Sequence, residues 1–386
     1  MKKILLVSYY FNLRDTDRAY TAYCYLKERG YEVKVICGNY DHNSKTFVTY
    51  GLPDVQEIPV HGYNRNISFR RIYSNLKFAW HARRIVKQEQ FDIAWVVGPP
   101  NCTGYFLKKV IRKKNALFIL DIFDLYPETI PINESLKQGL KYLGLGVWSY
   151  LRDASIKEAD IFLSECKYYL TRLGLKENDR IKLLPLCKDD VEDIIIPKLS
   201  VEEIRIIYLG ALTGNYDFEG LINLMVALKE KHKKAKLFII GDGSKRNWLL
   251  EELDNKGIRI EYLGRVYDDS IKKQIFEQCH FGFNGFKENV SIALSYKSME
   301  YMSNGVALIN SCKEDTWELI NNKNIGINYS CGKIKELAEC ICQLSAEDVF
   351  RMKQAAFVTY KKEYSFSRYS ERMDDILGIS YVSVQK

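Results

Sequence analysis

The sequence predicts an α/β protein built from two domains, each a parallel sheet covered by helices, that face each other across a cleft. The 386 residues and 45.0 kDa are the size of two ordinary domains. Short apolar runs alternate with helical patterns along the chain, which is typical of parallel sheets covered on both faces. The alternation stops near residue 190 and restarts near residue 205, so the two halves form separate α/β units.

Composition and charge exclude several classes of protein. Hydrophobic residues make up 47% and charged residues 27%, so the chain is not mainly disordered. No apolar run reaches the roughly 18 residues of a membrane-spanning helix. The N-terminal MKKILLVSYYF has too short an apolar run for a signal peptide and no cleavage site, so we interpret it as a first buried strand. The net charge of +8 favours contact with anions.

The cysteines and histidines indicate neither a metal site nor a redox motif. The ten cysteines contain no C-x-x-C pair, and their irregular spacing fits reduced thiols in a cytoplasmic chain. The five histidines are scattered. No G-x-G-x-x-G, P-loop, H-E-x-x-H or G-x-S-x-G motif is present. We therefore expect no bound metal and no cofactor.

The pattern predicts the following elements in the first half. The strands are Ile4–Ser8, Glu32–Cys37, Val55–Val60, Asp92–Val97, Ala116–Asp121, Asp160–Ser164 and Ile181–Pro185. The helices are Arg18–Arg29, Arg70–Gln88 and Leu136–Glu158, the last weakened by Gly139, Gly144 and Gly146. The acidic segment Lys188–Glu203, which contains Pro197, is interpreted as the linker.

The pattern of the second half is similar. The strands are Arg205–Leu209, Lys236–Ile240, Ile258–Leu263, His280–Asn284 and Val306–Asn310. The helices are Phe218–Lys233, Lys245–Lys256, Ile271–Gln278 and Lys297–Ser303, and three more follow from Ile334.

Lys297 and Glu300 are the strongest candidates for binding chemistry. They lie at i and i+3, one turn apart near the start of a predicted helix. Backbone N–H groups at a helix N-terminus suit a phosphate, and Lys297 would add positive charge. Glu300 could accept hydrogen bonds from a ribose. The alternative is a solvated Lys–Glu pair on an ordinary helix.

The segment Lys297-x-x-Glu300-Tyr301-Met302-x-x-Gly305 resembles the P-S-K-x-x-E-Y-x-x-x-G stretch of family 4 glycosyltransferases, in the branch that builds bacterial surface polysaccharides. Other pieces resemble the family in the expected order, and together they span nearly the whole chain. They are Asp121–Glu128, Ile161–Glu165, Ile207–Gly210, Leu237–Gly243, Tyr262–Val266 and Tyr364–Ser367.

The resemblance implies the GT-B fold, with an acceptor-binding domain over residues 1–190 and a donor-binding domain over residues 200–364. A C-terminal helix over residues 365–386 would pack back on the first domain. It also implies a cytoplasmic, metal-independent, retaining enzyme. Such an enzyme moves a sugar, a hexose or a related one, from a nucleotide-sugar to a lipid-linked or glycan acceptor in capsule, exopolysaccharide or O-antigen synthesis.

The donor site implied by the resemblance lies beyond the strand ends of the second domain, where open parallel sheets bind ligands. Lys297 and Arg265 would balance the leaving diphosphate. The donor-binding candidates are Gly210, Thr213, Asn215, Gly241, Gly243, Lys287, Lys297 and Glu300.

Four positions depart from the family pattern. Ile292 replaces the first of two Glu residues, Ala211 and Glu219 stand where the family has Arg and Lys, and Phe123 replaces an acceptor-domain histidine. The missing basic pair and the missing first Glu keep open a non-catalytic GT-B partner subunit. A nucleotide-sugar epimerase, which shares the GT-B architecture, is a further alternative.

Two carboxylates, Asp124 and Glu128, follow a strand of the first domain and are the acceptor-side candidates. Either could orient or deprotonate an acceptor hydroxyl, Asp124 as a catalytic group. The alternative is a capping or turn role. Asp15-Thr16-Asp17 resembles a D-x-D metal motif, but that motif belongs to another transferase fold, so a loop or N-cap role is expected.

Ser68–Lys87 interleaves basic and aromatic residues. A basic amphipathic helix of this kind is typical of proteins that bind an anionic membrane surface. The alternative is a helix packed on its sheet with a solvated basic face. No nucleic-acid module is present, so nucleic acid is not an expected partner. The protein is therefore expected to be peripheral on the inner face of the cell membrane.

Overall fold

The computed structural model describes residues 2–13, 17–65, 68–129 and 145–378. The chain divides into two compact units. The first comprises Met1–Leu186 together with Ser370–Lys386, and the second comprises Cys187–Tyr369. The part of the predicted helix Leu136–Glu158 that precedes residue 145 lies outside the described residues.

The first unit contains a seven-stranded parallel sheet of order β5-β2-β1-β6-β7-β8-β9 and a small hairpin, β3–β4. In chain order the strands are β1 (Lys3–Ser8), β2 (Glu32–Gly38), β3 (Tyr40–Asp41), β4 (Thr46–Phe47), β5 (Val55–Ile58), β6 (Ile93–Gly98), β7 (Leu117–Ile122), β8 (Ile161–Ser164) and β9 (Ile181–Leu183). The described helices are α1 (Arg18–Glu28), α2 (Phe69–Gln88), α3 (Asn101–Lys113), α4 (Gly146–Glu158) and α5 (Lys167–Arg172).

The second unit contains a six-stranded parallel sheet of order β12-β11-β10-β13-β14-β15. Its strands are β10 (Glu203–Leu209), β11 (Lys234–Ile240), β12 (Ile260–Gly264), β13 (Phe281–Asn284), β14 (Ala307–Asn310) and β15 (Gly326–Asn328). Its helices are α6 (Phe218–Glu230), α7 (Arg246–Asn255), α8 (Asp269–Glu277), α9 (Tyr296–Ser303), α10 (Asp315–Lys323), α11 (Ile334–Gln343) and α12 (Ala346–Glu363). A last helix, α13 (Phe366–Leu377), begins in the second unit and continues into the first.

This strand order is that of a Rossmann sheet, and the direction of strand addition reverses between β10 and β13. Each sheet has its own apolar core. The β10 residues Ile206 and Tyr208 are fully buried in one core, and the β1 residues Leu5 and Val7 in the other. The predicted fold class, α/β with two Rossmann-like parallel sheets, is confirmed.

The predicted strands are all present, with ends that differ by at most a few residues. Helix α3 was not predicted, because it follows Pro99-Pro100 and starts with Asn101-Cys102-Thr103-Gly104, which are weak helix formers. Gly104 favours close packing there, since a Cβ at this position would lie 3.1 Å from both Leu120 and Ser155. Helix α10 and strand β15 were also missed.

The segment predicted as a linker packs against the second unit. The Tyr360 hydroxyl donates to the carbonyl of Asp189 at 2.5 Å, and a Cβ at Gly305 would lie 2.9 Å from Ile196. Apart from an isolated bridge at Lys188, the segment forms no helix or strand before β10, but it belongs to that unit.

Candidate functional site

The carboxyl ends of β10, β11 and β12 are joined through glycine backbone. The Gly210 N–H donates to the Ile240 carbonyl at 2.9 Å, and the Gly241 N–H donates to the Gly264 carbonyl at 2.7 Å. Gly210 and Gly241 have φ of +133° and +143°, and a side chain at Gly241 would collide with the Gly210 carbonyl. Only glycine fits this approach, which fixes the loops that follow the two central strands.

The next residues of these loops are held in the same way. The Leu212 N–H donates to the Asp242 carbonyl at 3.0 Å, and the Lys245 N–H donates to the Leu212 carbonyl at 2.9 Å. A Cβ at Gly243 would collide with the backbone of Leu212. The predicted candidates Gly210, Gly241 and Gly243 therefore meet at one edge of the sheet.

Helix α9 is anchored to the neighbouring strand ends by amides. Ser295 is its N-cap and accepts from the N–H of Ser298. The Ser295 hydroxyl donates to Asn284 Oδ1 at 2.9 Å, and Asn284 Nδ2 donates to Asn310 Oδ1 at 2.8 Å. Because Asn284 and Asn310 end β13 and β14, the first turn of α9 is fixed over the sheet.

Lys297 lies in this first turn, and its amine is enclosed by three rings. Its Nζ is 3.6 Å from the ring centroid of Tyr216, 4.2 Å from that of Tyr208 and 5.2 Å from that of Phe286. We call these three residues the aromatic box. The residue is 8% exposed, and its Nζ has no hydrogen-bond partner among the described residues.

Burial drives the pKa of the Lys297 amine well below its ordinary value. The nearby Cys312 offers no compensating charge, since burial raises the pKa of that thiol to about 12. A buried amine without a partner costs free energy in the unbound fold. Such a cost is typical of a group held ready for a ligand.

Glu300 lies on the same helix but has a different partner. Its carboxylate pairs with the amine of Lys188, and the two side chains are 17% and 18% exposed. The alternative of a solvated Lys297–Glu300 pair is therefore wrong, because Lys297 is buried and Glu300 is bound elsewhere. Contact between Glu300 and a ribose stays a prediction. A carboxylate has lone pairs for both Lys188 and a further donor.

A recess of about 220 Å³, including its open mouth, adjoins the aromatic box. Tyr216 belongs to both, and two amines, Lys245 and Lys287, line the recess. The other lining residues are Thr213, Gly214, Phe218, Glu219 and Trp248.

Two of the predicted donor-binding residues line the recess, and a third is hydrogen-bonded to one of them. Thr213 and Lys287 line it, and the Lys287 N–H donates to the carbonyl of Asn215 at 3.1 Å. Sequence reasoning missed Lys245, whose amine lies 4.9 Å from the ring centroid of Trp248. Its position two residues after the G-D-G turn was the available signal.

Arg265 lies outside this recess. Its side chain is 63% exposed, with Nε 3.7 Å from Asp242 Oδ2. The predicted partnership of Arg265 and Lys297 on a diphosphate therefore stays a prediction.

The acceptor-side candidates lie in the first unit. Asp124 Oδ1 accepts from the Thr129 hydroxyl at 2.6 Å, and burial raises the pKa of this carboxyl. Glu128 forms an ion pair of 2.5 Å with Arg152. Asp17 caps α1, as expected for an N-cap, and burial raises its pKa to about 6. The other two residues of the D-x-D segment lie outside the described residues.

Helix α2 packs on its sheet and also exposes apolar side chains. Phe78, Ala82 and Val86 are buried. The exposed side chains recur every three or four residues and form what we call the α2 stripe: Phe69, Ile72, Tyr73, Leu76 and Trp80, with Phe69 91% exposed. The bases Arg70, Arg84 and Lys87 are exposed as well.

Arg71 departs from the surface role that the sequence suggested for it. It is only partly exposed, and its Nη2 donates to the Tyr10 hydroxyl at 2.9 Å. Over the described ranges, no helix has both the length and the apolar character to cross a membrane. The same ranges contain no group of three or more His, Cys, Asp or Glu arranged to hold a metal ion.

Comparisons with known proteins place this site in context. Residues 191–363 match the family model of glycosyl transferases group 1. The sequence matches no curated protein.

Solved structures resemble the whole chain. Sucrose-phosphate synthase from Thermosynechococcus elongatus is similar with a TM-score of 0.72 and 13% identity over 98% of each chain. Anabaena Alr3699/HepE in complex with UDP and glucose has a TM-score of 0.63 and 12% identity over 98% of this chain and 100% of its own. The lipopolysaccharide outer core galactosyltransferase WaaB has a TM-score of 0.67 and 15% identity over 97% and 99%.

At these identities the structural likeness establishes the fold, which is that of GT-B glycosyltransferases. Together with the matched segment, it supports a glycosyltransferase of the GT-B fold whose residues 191–363 match group 1 glycosyl transferases.

Proposed function

We propose that the protein transfers a sugar from a nucleotide-sugar to an acceptor hydroxyl, with the donor bound at the carboxyl edge of the second sheet. The observation that carries this proposal is the buried Lys297 amine, without a partner among the described residues, next to the Gly210 turn. Tyr208 of β10 and Phe286, which follows β13, enclose it at the point where strand order reverses. Ligands of open α/β sheets bind at such a point.

The proposed role of Lys297 is to bind the diphosphate of the donor and to stabilise the charge that grows on it as the glycosidic bond breaks. A fixed cation in a site of low dielectric is effective for this purpose. Lys245 and Lys287 lie close enough to the box, through the shared Tyr216, to add positive charge. Glu300 is proposed to accept a hydrogen bond from the donor ribose. Arg265 is proposed as a further, more exposed cation.

Two similar structures support a nucleotide-sugar as the donor. Anabaena Alr3699/HepE was solved with UDP-glucose, and a trehalose-6-phosphate protein from E. coli with UDP-2-fluoro glucose. We propose the same class of substrate here, with retention of anomeric configuration and without a metal.

The acceptor is proposed to be lipid-linked or a glycan in surface-polysaccharide synthesis, in the branch of family 4 that the sequence resembles. WaaB, a lipopolysaccharide galactosyltransferase by its name, is consistent with this role. Asp124 is the proposed group that orients or deprotonates the acceptor hydroxyl, because its raised pKa makes it a stronger base than an ordinary carboxylate. The α2 stripe and its bases support attachment to the inner face of the membrane.

The test is incubation of the protein with a panel of nucleotide-sugars, with products separated by chromatography. A transferase slowly releases the nucleoside diphosphate and free sugar when no acceptor is present. An epimeric nucleotide-sugar would indicate the epimerase instead, and absence of binding would indicate a non-catalytic partner.

Lys297→Ala connects the activity to the site. We expect turnover to fall about 100–1,000-fold, the usual effect of losing one group that stabilises transition-state charge. The donor KM should rise less than turnover falls. Lys335→Ala, a change on the exposed face of α11, is the matched control. Near-normal turnover of Lys297→Ala would contradict the assignment.

A further inference from the structure

The hydroxyl of Tyr301 lies between two strands of the second sheet, and nothing above assigns it a role. Tyr301 belongs to α9, four residues after Lys297, so both side chains project from the same side of this helix. The hydroxyl accepts from the Leu209 N–H at 2.9 Å and donates to the Phe283 carbonyl at 3.3 Å. Leu209 ends β10, and Phe283 lies in β13. This hydroxyl therefore joins α9 to both strands, a contact that we call the Tyr301 bridge.

The Tyr301 bridge lies where β10 and β13 separate. Their ladder includes the pair Ile207 and Gly282, and both strands continue beyond it. There the hydroxyl connects the Leu209 N–H to the Phe283 carbonyl, in place of a direct ladder hydrogen bond. Strand order reverses between the same two strands, which is where open α/β sheets bind ligands.

The ring of Tyr301 is packed tightly enough to hold its hydroxyl at this place. A Cβ at Gly282 would lie 2.3 Å from Cγ of the ring, so the ring packs directly on the backbone of β13. Its centroid lies 6.1 Å from that of Phe276 in an edge-on arrangement. Tyr301 is fully buried, and burial raises the pKa of its phenol well above the ordinary value. The hydroxyl therefore keeps its proton and can accept and donate at once.

The strand ends that meet at the Tyr301 bridge carry parts of the Lys297 site. Tyr208 of the aromatic box directly precedes Leu209, and the Gly210 turn directly follows it. A Cβ at Gly210 would lie 3.8 Å from Lys297 Nζ, so this turn adjoins the buried amine. Phe286, also in the box, follows the end of β13. The bridge therefore fixes the strand ends on two sides of the amine.

The amide anchor of α9 does not duplicate the Tyr301 bridge. That anchor joins Ser295 to Asn284 and, through it, to Asn310, which end β13 and β14. The bridge adds β10, the strand that supplies Tyr208. The position of α9 relative to β10 is therefore set by the Tyr301 hydroxyl.

We infer that Tyr301 is a positioning residue for the donor diphosphate: its hydroxyl holds β10, β13 and α9 at the spacing at which the aromatic box presents the Lys297 amine. Without the hydroxyl, the Leu209 N–H and the Phe283 carbonyl lose their shared partner in the interior. Buried peptide groups are rarely left unpaired, so the two strand ends would move together and shift the loops that follow them. The inference rests on the proposed function for the identity of the ligand.

The test begins with calorimetric titration of the full chain with UDP, GDP, ADP and dTDP. The nucleoside diphosphate that wild type binds most tightly is the probe for the variants. Tyr301→Phe removes the hydroxyl alone and should weaken probe binding about tenfold or more. Tyr360→Phe is the matched control, because Tyr360 is also fully buried in this unit and its hydroxyl donates to the Asp189 carbonyl. Both variants should be less stable to heat, but Tyr360→Phe should keep its probe affinity within twofold of wild type.

A double variant distinguishes positioning from a general loosening of the fold. If Tyr301 acts through Lys297, its hydroxyl has little left to position in Lys297→Met. In that background Tyr301→Phe should therefore change probe affinity less than twofold. An equal tenfold loss in both backgrounds would overturn the inference. A folded Tyr301→Phe that binds the probe as tightly as wild type would overturn it as well.

Hydrogen exchange of wild-type protein supplies a measurement that does not require Tyr301→Phe to fold. Opening of the Tyr301 bridge exposes the Leu209 amide. If the open form binds the probe tenfold less tightly, saturating probe must suppress opening by up to tenfold. Exchange of the Leu209 amide should slow by this factor. Exchange of the Leu237 amide, which donates to the Arg259 carbonyl, should slow less; equal slowing of the two amides would contradict the inference.

Failure of the inference and failure of the proposed function give different results. If none of the four nucleoside diphosphates binds wild type, the inference fails together with the donor site. If one of them binds but no nucleotide-sugar reacts, the proposed transferase activity fails, and the variants still decide the role of Tyr301.

Discussion

Replacing Lys297 by methionine should make the second unit more stable and its nucleotide site weaker. Methionine has the length of lysine, carries no polar donor and makes favourable contacts with rings. The change removes a buried amine that has no partner among the described residues. Leaving such a group unsatisfied costs about 1–3 kcal/mol.

Cation–π attraction does not offset this cost. A charged amine in the aromatic box would gain about 2 kcal/mol from the rings. Removing an ammonium from water costs several kcal/mol, so desolvation is the larger effect. The lowered pKa of Lys297 reflects this balance. We therefore expect Lys297→Met to raise the free energy of unfolding by about 1–3 kcal/mol, roughly 2–12 °C in Tm for a domain of this size.

The difference in unfolding free energy between Lys297→Met and wild type should depend on pH in a definite direction. The pKa of Lys297 is lower in the folded state than in the unfolded state, so the unfolded chain binds more protons at neutral pH. Wild-type stability therefore rises with pH until the unfolded lysine, with a pKa near 10.4, loses its proton. The advantage of Lys297→Met over wild type should shrink between pH 7 and pH 10.

The assay is urea unfolding of both proteins at several pH values, followed by calorimetric titration with UDP. Losing a charged hydrogen-bonding group should weaken UDP binding by about 1.5–3 kcal/mol, roughly 10- to 150-fold. Lys353→Met is the matched control, because Lys353 is also buried in this unit but donates to the Cys279 carbonyl at 2.8 Å. That variant should lose stability and keep its UDP affinity. A less stable Lys297→Met with normal UDP affinity would refute the reasoning and make Lys297 a core residue.

Three further outcomes follow from the same structure. Calorimetry in buffers of different ionisation enthalpy should show that wild-type protein takes up a proton when it binds UDP and that Lys297→Met does not. The measurement is made at pH 8–9, where a terminal phosphate with a second pKa of about 6 is already fully ionised. Equal proton uptake by both proteins would contradict a neutral Lys297. Glu300→Ala should weaken UDP binding by about 1–3 kcal/mol, whereas Lys188→Ala should weaken it less because only the partner of Glu300 is lost; unchanged affinity in Glu300→Ala would exclude the ribose contact. Wild-type protein should co-sediment with anionic vesicles, and this binding should weaken as salt is added, because each base near the surface contributes about 1 kcal/mol of binding free energy. Replacing the bases Arg70, Arg83 and Arg84 by Ser should weaken vesicle binding without affecting UDP binding. Absence of co-sedimentation at low salt would leave α2 as a packed element alone.

The sequence predicted the sheets because strand and helix periodicities are local properties. Ile4–Ser8 and Arg205–Leu209 are continuous apolar runs bounded by turn residues, and both became central strands. Helix α3 was not predicted because packing, rather than helix propensity, stabilises its first turn. Gly104 lets the helix approach Leu120 and Ser155 closely. Local signals could not show that contact.

The candidate site was predictable only in part, for the same reason. The i, i+3 spacing placed Lys297 and Glu300 on one helix, but it did not reveal that their partners differ. The box around Lys297 combines β10, the loop after it and the loop after β13, and Glu300 pairs with Lys188, 112 residues away in the chain. Such long-range neighbours have no signature in spacing. Arg71 was assigned to a membrane surface by composition, whereas its contacts with Tyr10, Tyr63 and Tyr126 show that it faces inward.

Both units hold a basic side chain among tyrosine rings at the carboxyl edge of their sheet. Rings exclude water and lower the local dielectric, which makes a cation attract an incoming phosphate more strongly than a hydrated surface lysine does. The Lys297 amine has no hydrogen-bond partner among the described residues, so an arriving phosphate does not have to displace a carboxylate from it. Burial affects Lys297, enclosed by Tyr208 and Tyr216, more strongly, because its positive charge is suppressed until an anion arrives. Arg71 keeps its charge at all accessible pH values and shares Tyr63 with a second cation. A charge that appears only when the anion arrives suits the proposed ligand of Lys297, a donor diphosphate that gains charge during the reaction.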